Sequence, residues 1–251
     1  MVQNLYDEEF FSLHKTAVLE SARIVVPIVC GLIRPASVVD VGCGQGEWLL
    51  AFKENGVGRL RGVDGDYVDR TAFLMEPDSF TAVDLNAPDF KIDGNYDLAC
   101  CLEVAEHLLE ANAGLLVAAL TGAAPMVLFS AAVPGQGGTC HVNEQWLSYW
   151  SALFEKRKFK LLDPIRPKVR ENRRVVWWYR QNLVLFVAAD CLAARPELAS
   201  FIPESVDAAM EWVHRGTVLG RGSAEFVINR LRKALWDRIR GVASNKSAAK
   251  S

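Results

Sequence analysis

The sequence lacks the patterns that identify a metal site or a disulfide framework. Its six cysteines include no CxxC pair and no repeated spacing, so neither structural zinc nor a set of disulfides is indicated. An excess of one charge is also missing, because the formal net charge is only -2. This argues against bulk binding to nucleic acid or to an anionic membrane. The N-terminus shows no basic-then-apolar leader pattern, and together with reduced thiols this predicts a cytoplasmic protein.

Long uninterrupted apolar runs are also missing from the middle of the chain. The stretch 111–143 has no formally charged residue apart from His141, but glycines and prolines divide it into pieces too short to cross roughly 30 Å of hydrocarbon. We therefore expect no membrane partner. Hydrophobic residues make up 51% of the sequence, which is enough to form a globular core.

Short apolar runs alternate with helical patterns along the chain, as is typical of a parallel sheet with crossover helices. Residues 37–41, 60–63, 80–83, 96–102, 126–130, 159–162 and 182–188 are predicted to be strands. Helices are predicted at residues 7–32, 47–55, 67–75, 111–120, 144–154, 204–213 and 224–240. The expected fold is an α/β, Rossmann-like, doubly wound seven-stranded sheet. We expect a helical lid at residues 1–34, a core at residues 35–190 and a helical extension with a frayed tail at residues 191–251.

The most informative segment is VVDVGCGQGEWL at residues 38–49, where a buried strand meets a glycine turn and a helix. The spacing is G-x-G-x-G, and Glu47 stands where a dinucleotide fingerprint has its third glycine. A carboxylate there would repel a pyrophosphate. Asp40, just before the turn, likewise suits a cationic or amine-bearing ligand. The pattern therefore argues against a dinucleotide.

Two further acids follow the next two predicted strands. Asp64 lies about twenty residues beyond the glycine turn, where a carboxylate can accept hydrogen bonds from ribose hydroxyls. Asp84 follows the third strand and precedes Leu85. Acids at the carboxyl ends of three successive strands form a pattern that composition alone does not explain.

The segments VVDVGCGQGEWL, GVDGDY, AVDL and YDLACCLEVAEHL resemble, in order and spacing, the successive motifs of class I S-adenosylmethionine-dependent methyltransferases. The resemblance covers residues 38–109 and implies S-adenosyl-L-methionine as the cofactor. It also implies a seven-stranded sheet whose last strand is antiparallel.

The same resemblance implies roles for individual residues. The three turn glycines would line the methionine moiety, while Asp40 would organise the turn and the amino end of the cofactor. Asp64 would bind the ribose hydroxyls, Asp84 would face the adenine amino group, and Leu85 would pack on the ring. The full expected cofactor site consists of Asp40, Gly42, Cys43, Gly44, Gly46, Asp64, Gly65, Asp84, Leu85 and Glu103.

Ligands of open α/β sheets lie beyond the carboxyl ends of the strands, and two histidines fall in the loops there. His107 follows the fourth predicted strand and His141 the fifth. A histidine that titrates near neutrality can take a proton from an alcohol acceptor, and His141 is the first choice for this base. Glu144 can orient it. Either histidine can instead serve only its own loop. No metal is expected.

The predicted function is a metal-independent methyl transfer to a hydroxyl of a small molecule, such as a sugar or secondary metabolite. N-methylation of an amine is one alternative. Another is nucleic-acid modification or binding through residues 156–180, which carry ten basic residues against two acids. That segment can instead be a solvated face or bind a phosphate-bearing acceptor. Nucleic acid is less expected because the rest of the chain is acidic. A homodimer is possible through the apolar helix faces at both ends.

Overall fold

The computed structural model describes residues 2–206 and residue 209, with side chains from residue 16 onward. Its centre is one seven-stranded sheet in the order β3-β2-β1-β4-β5-β7-β6. The strands are β1 Ser37–Val41, β2 Arg59–Asp64, β3 Phe80–Ala82, β4 Leu98–Leu102, β5 Met126–Ser130, β6 Phe159–Leu162 and β7 Val184–Ala188. The α-helices are α1 Val2–Ile33, α2 Glu47–Glu54, α3 Ala113–Ala123, α4 Leu147–Lys156, α5 Arg166–Val169, α6 Trp177–Asn182 and α7 Ala189–Ala194.

Strands β1 to β5 are parallel, and β7 runs antiparallel to both β5 and β6. The expected doubly wound sheet with an antiparallel last strand is therefore confirmed. The strand order reverses between β1 and β4, because β2 lies on one side of β1 and β4 on the other. Ligands of such sheets bind at this reversal, outside the carboxyl ends of the strands.

Helices cover both faces of the sheet, and successive side chains of β1 point to opposite faces. Val38 belongs to the apolar cluster that includes α1 and α2, whereas Val39 and Val41 belong to the cluster that includes α3 and α4. In the second cluster Phe154 of α4 stacks on Phe186 of β7, with ring centroids 3.8 Å apart and an interplanar angle of 8°. The antiparallel strand is thus part of the main core.

The window Thr16–Ile33 of α1 is long and apolar enough to cross a membrane, by length and composition alone. In the fold this half of the helix packs on the sheet and on α2. Ala22, Val25, Val26 and Val29 are each at most 1% exposed in the same cluster as Val38. Core packing therefore accounts for its apolar face. The side chains of the predicted lid at the other end of the helix lie outside those described, so a lid stays a prediction.

The helix predicted at residues 67–75 is wrong. The structure has only a single 3-10 turn there, Arg70–Ala72, and Asp69 caps it by accepting a hydrogen bond from the Thr71 amide at 2.9 Å. Side chains such as Asp69 compete with helix formation by binding nearby backbone N–H groups. The connection from β2 to β3 is therefore a loop.

Two short helices were not predicted: α5 lies inside the basic segment 156–180, and α6 begins in it and ends at Asn182. Arg166 of this segment is 2% exposed, and its guanidinium donates to both carboxylate oxygens of Asp163 at 3.0 and 2.8 Å. Tyr179 is also buried, with its ring 5.1 Å from that of Trp48. Part of the segment is therefore core.

The C-terminal predictions fall mostly outside the described residues. Of the helix predicted at 204–213, the structure describes Val206 and Ala209 as helical. The helix predicted at 224–240 and the frayed tail lie outside the described part of the chain.

Candidate active site

The turn between β1 and α2 is built from three glycines with left-handed backbone. Gly42, Gly44 and Gly46 have φ values of 75°, 52° and 87°. A Cβ on Gly42 would lie 2.3 Å from Cγ2 of Val104, in the loop after β4. Gly42 therefore allows the loops after the two central strands to approach each other, because any other residue would clash there.

Three buried carboxylates surround this turn. Asp40, Glu47 and Asp64 are 3%, 9% and 4% exposed. Burial raises the pKa of Asp40 well above its ordinary value, and the charges of Asp64 and Glu47 raise it further. No described residue forms an ion pair with Asp40 or Asp64. These three carboxylates suit a ligand with an ammonium and a sulfonium group, and they disfavour a pyrophosphate.

Asp64 ends β2 and accepts three hydrogen bonds. Its Oδ2 accepts from the Gly44 amide at 2.8 Å, while its Oδ1 accepts from the Gly65 amide and the Tyr67 hydroxyl, both at 2.6 Å. Tyr67 is 84% exposed, so its ring has little packing to hold it there. The carboxylate is held by backbone on one side and by a displaceable hydroxyl on the other.

The remaining predicted cofactor residues occupy three different environments. Asp84 is exposed after β3, and its Oδ1 accepts from the Asn86 amide at 2.8 Å. Leu85 is buried in the core cluster. The Cys43 side chain is buried, and its Sγ would lie 2.7 Å from a Cβ on Gly62 of β2. Cys43 therefore offers a ligand its backbone rather than its thiol.

Glu103 directly follows β4 with a left-handed φ of 55°. Its carboxylate accepts from Nε2 of Gln136 at 2.9 Å and from Nδ2 of Asn182 at 3.1 Å. Its amide donates to the Ser130 carbonyl at 2.9 Å, at the end of β5. Burial raises the pKa of Glu103, although these hydrogen bonds partly oppose the rise. The network links the carboxyl ends of β4 and β5 to Asn182, the last residue of α6.

The two histidines predicted from the sequence do come together. The rings of His107 and His141 are 4.8 Å apart and nearly perpendicular, at 87°. Nδ1 of His141 lies 3.0 Å from Oε1 of Glu144. The Glu144 carboxylate also accepts from the amides of Gly135 and Gly137, each at 2.9 Å. Glu144 therefore orients His141 and also fixes the backbone of the loop that contains Gly135 and Gly137.

Glu106 lies beneath the histidine pair and was not singled out from the sequence. The residue is 0% exposed, and neither carboxylate oxygen has a hydrogen-bond partner of normal geometry. Its pKa is raised well above the ordinary value, first by burial and then by Glu103, although the backbone at Ala132 opposes the rise. Sequence spacing could not identify its surroundings, because His141 is distant along the chain. The Asn182 bond to Glu103 was missed in the same way, whereas the Tyr67 bond to Asp64 joins residues only three positions apart and depends on the conformation of the loop.

The comparisons with known proteins agree with this geometry. A family model described as a methyltransferase domain matches residues 21–164, more than half of the chain. No curated protein sequence matches the chain.

Several solved structures share the fold at low sequence identity. DesVI from Streptomyces venezuelae is 15% identical, with 75% of this chain and 99% of that chain covered and a TM-score of 0.53. An amino pentose methyltransferase from Micromonospora echinaspora, bound to S-adenosylmethionine, is 14% identical, with coverage of 74% and 97% and a TM-score of 0.52. The plantazolicin methyltransferase BpumL, in complex with S-adenosylhomocysteine, is 16% identical, with coverage of 74% and 89% and a TM-score of 0.50. The chain belongs to the methyltransferase-domain family, whose methyl donor is S-adenosylmethionine.

Proposed function

We propose that the protein transfers a methyl group from S-adenosylmethionine to a hydroxyl of a small molecule, such as a sugar or a secondary metabolite. The observation that carries the choice of a hydroxyl is the His141–Glu144 pair, joined at 3.0 Å beside His107. An alcohol must lose a proton during transfer, and a carboxylate-oriented imidazole can assist that loss. A neutral amine attacks without such help.

The buried acids around the glycine turn are proposed to hold the cofactor. Asp64 would accept the ribose hydroxyls once Tyr67 turns away, and Asp40 and Glu47 would face the positively charged end of the ligand. Asp84, Leu85, Gly65 and the backbone at Cys43 would line the nucleoside side. When bound, the cofactor supplies an electrophilic methyl group on positively charged sulfur.

The acceptor is proposed to lie between the glycine turn and the histidine pair. The loops after β1 and β4 meet where Gly42 approaches Val104, so both loops open onto the same edge of the sheet. Glu144 fixes the direction of His141, and this reduces the motion needed to align an attacking oxygen. Proton removal is placed at this histidine pair.

Two observations favour a small acceptor over nucleic acid. An amino pentose methyltransferase and a plantazolicin methyltransferase share this fold, which supports a small acceptor. Within the basic segment, Arg166 is buried against Asp163, and Arg174 pairs with Glu20 at 2.6 Å. These arginines therefore have intramolecular roles, which weakens the segment as a phosphate footprint.

The test is turnover on a matched pair of sugars that differ only in a hydroxyl or an amine at one carbon. We expect methylation of the hydroxyl sugar, and we expect His141→Ala to lower kcat about 100-fold or more while S-adenosylhomocysteine still binds. Thr139→Ala, an exposed position in the same loop, is the control. Turnover of the amino sugar alone would replace the proposal by N-methylation. Near-normal turnover by His141→Ala would refute the role of the histidine pair.

A further inference from the structure

We propose that Glu106, His107 and His141 form a binding site for a divalent transition-metal ion. One potential ligand atom from each residue lies within 4.8 Å of the others. Ligand atoms on one ion, with bonds of about 2.1 Å, are separated by roughly 3 to 3.5 Å. The ligand atoms therefore need to approach one another by at most about 1.3 to 1.8 Å, and His107 is exposed enough to turn inward.

The state of Glu106 is independent support for a bound cation. Its side chain is fully buried, yet both carboxylate oxygens lack a hydrogen-bond partner of normal geometry. A buried carboxylate with only weak backbone contacts and an acidic neighbour, Glu103, is unfavourable, and proteins usually compensate it with a cation or with hydrogen-bond donors. A metal ion between Glu106 and the two histidines would supply that compensation.

The surroundings of His141 match those of a metal ligand. Histidines that bind metals almost always give their second ring nitrogen to a carboxylate, a carbonyl or water. Nδ1 of His141 is held in this way by Glu144 at 3.0 Å, which leaves Nε2 as the coordinating atom. The amides of Val142 and Asn143 donate to the Glu106 carbonyl at 2.8 and 3.0 Å. The two halves of the site are therefore held together by backbone as well.

The donor set selects the class of ion. Two imidazole nitrogens and one carboxylate favour Mn²⁺, Fe²⁺, Co²⁺ or Zn²⁺ over Mg²⁺, which prefers oxygen ligands. Three protein ligands also leave coordination positions open. The role of the ion, though not its binding, rests on the proposed function: its charge would lower the pKa of a nearby acceptor hydroxyl. With the ion bound, the histidine pair would assist proton loss through the ion that it holds.

This proposal replaces the metal-independent reaction expected from the sequence. The cysteine spacing gave no reason to expect a zinc motif, and the three groups proposed here are brought together only by the fold. Glu106 and His107 come from the turn after β4, and His141 comes from the loop after β5. These two strands are neighbours in the sheet.

The experiment is calorimetric titration of Mn²⁺ and, separately, Zn²⁺ into full-length protein first treated with EDTA and dialysed. We expect one ion per chain, and we expect Glu106→Gln, His107→Ala and His141→Ala each to weaken binding at least tenfold. Glu144→Gln, which alters a positioning residue, should weaken it about 10- to 100-fold. Glu110→Gln, an exposed acid in the same region, is the matched control and should bind the metal normally.

Thermal melting provides a second readout that guards against misfolded variants. Saturating Mn²⁺ should raise the melting temperature of the parent and of Glu110→Gln, but not that of Glu106→Gln. S-adenosylhomocysteine is titrated into the same metal-free preparations, so that failure of the cofactor assignment is seen separately. The metal site would be overturned if neither ion bound to the parent with one-to-one stoichiometry. It would also be overturned if Glu106→Gln bound the metal as tightly as the parent.

Discussion

Asp64 provides the sharpest quantitative test of the cofactor site. Its carboxylate accepts from the Gly44 and Gly65 amides at 2.8 and 2.6 Å, and its third hydrogen bond comes from the exposed Tyr67 hydroxyl. Ribose hydroxyls are proposed to replace that third bond and to add one. Hydrogen bonds to a charged group contribute about 1.5 to 3 kcal/mol each. Losing the charge in Asp64→Asn should therefore cost about 3 kcal/mol of binding, or roughly 100-fold in Kd.

The assay is calorimetric titration of S-adenosylhomocysteine, with NAD as the comparison ligand, well below the melting temperature of each variant. Asp89→Asn, at an exposed position, is the charge-matched control. Tyr67→Phe should bind at least as tightly as the parent, because it removes only the hydroxyl that ribose replaces. If Asp64→Asn binds within threefold of the parent, the ribose assignment is refuted.

Three further predictions concern stability. Burial and neighbouring acids raise the pKa of Asp40 in the folded protein above its ordinary value of 3.8. Ionised Asp40 therefore destabilises the fold increasingly as the pH rises above 3.8. Asp40→Asn should therefore raise the ligand-free melting temperature at pH 8 and flatten its dependence on pH between 5 and 8, as measured by thermal melts. Phe154→Ala, which removes a fully buried ring from its stack on Phe186, should lower the free energy of unfolding by about 3 to 5 kcal/mol in urea titrations. Asp163→Asn leaves the buried Arg166 guanidinium without its carboxylate and should lower that free energy by about 3 to 5 kcal/mol.

The predictions for Asp40 and Phe154 each have a matched control at an exposed position. Asp93→Asn, whose side chain is 91% exposed, should leave the pH dependence of melting unchanged. Leu109→Ala, at a residue 50% exposed, should cost far less than Phe154→Ala. A parent-like unfolding free energy in Asp163→Asn would show that the Arg166 ion pair is not structural. A pH dependence identical to the parent in Asp40→Asn would contradict the raised pKa.

The strands and the acids that follow them could be predicted from local sequence. Strand β1 is a short apolar run bounded by turn residues, and its glycine turn has a spacing that disfavours a dinucleotide. Asp64 and Asp84 could be placed because parallel strands end at a common edge. Such features depend on residues close together in the chain.

The missed features depend on contacts between distant segments. The bond from Asn182 to Glu103 joins residues far apart in the sequence, and so does the approach of Glu106 to His141. The prediction of a helix at residues 67–75 was wrong for a different reason. The Asp69 side chain accepts a hydrogen bond from the Thr71 amide, which a continuous helix would have used for its own backbone bond. Hydrophobic periodicity along the sequence predicts neither contacts between distant segments nor a hydrogen bond from a backbone amide to a nearby side chain.

Asp40 lies in the central strand β1, and we propose that it contributes to a preference for a positively charged ligand. Asp40 pairs with Gly62 of β2 on one side and with Cys100 of β4 on the other, at the place where the strand order reverses. Its neighbours are small, and no described residue forms an ion pair with it, so an ionised Asp40 would have no compensating charge in the ligand-free fold. A protein that keeps such a residue gives up stability, because an ionised carboxylate in this position is poorly solvated. A positively charged ligand beside Asp40 would recover that free energy on binding, whereas a neutral or anionic ligand would not, so the proposed site would select its ligand partly through a residue of the central strand.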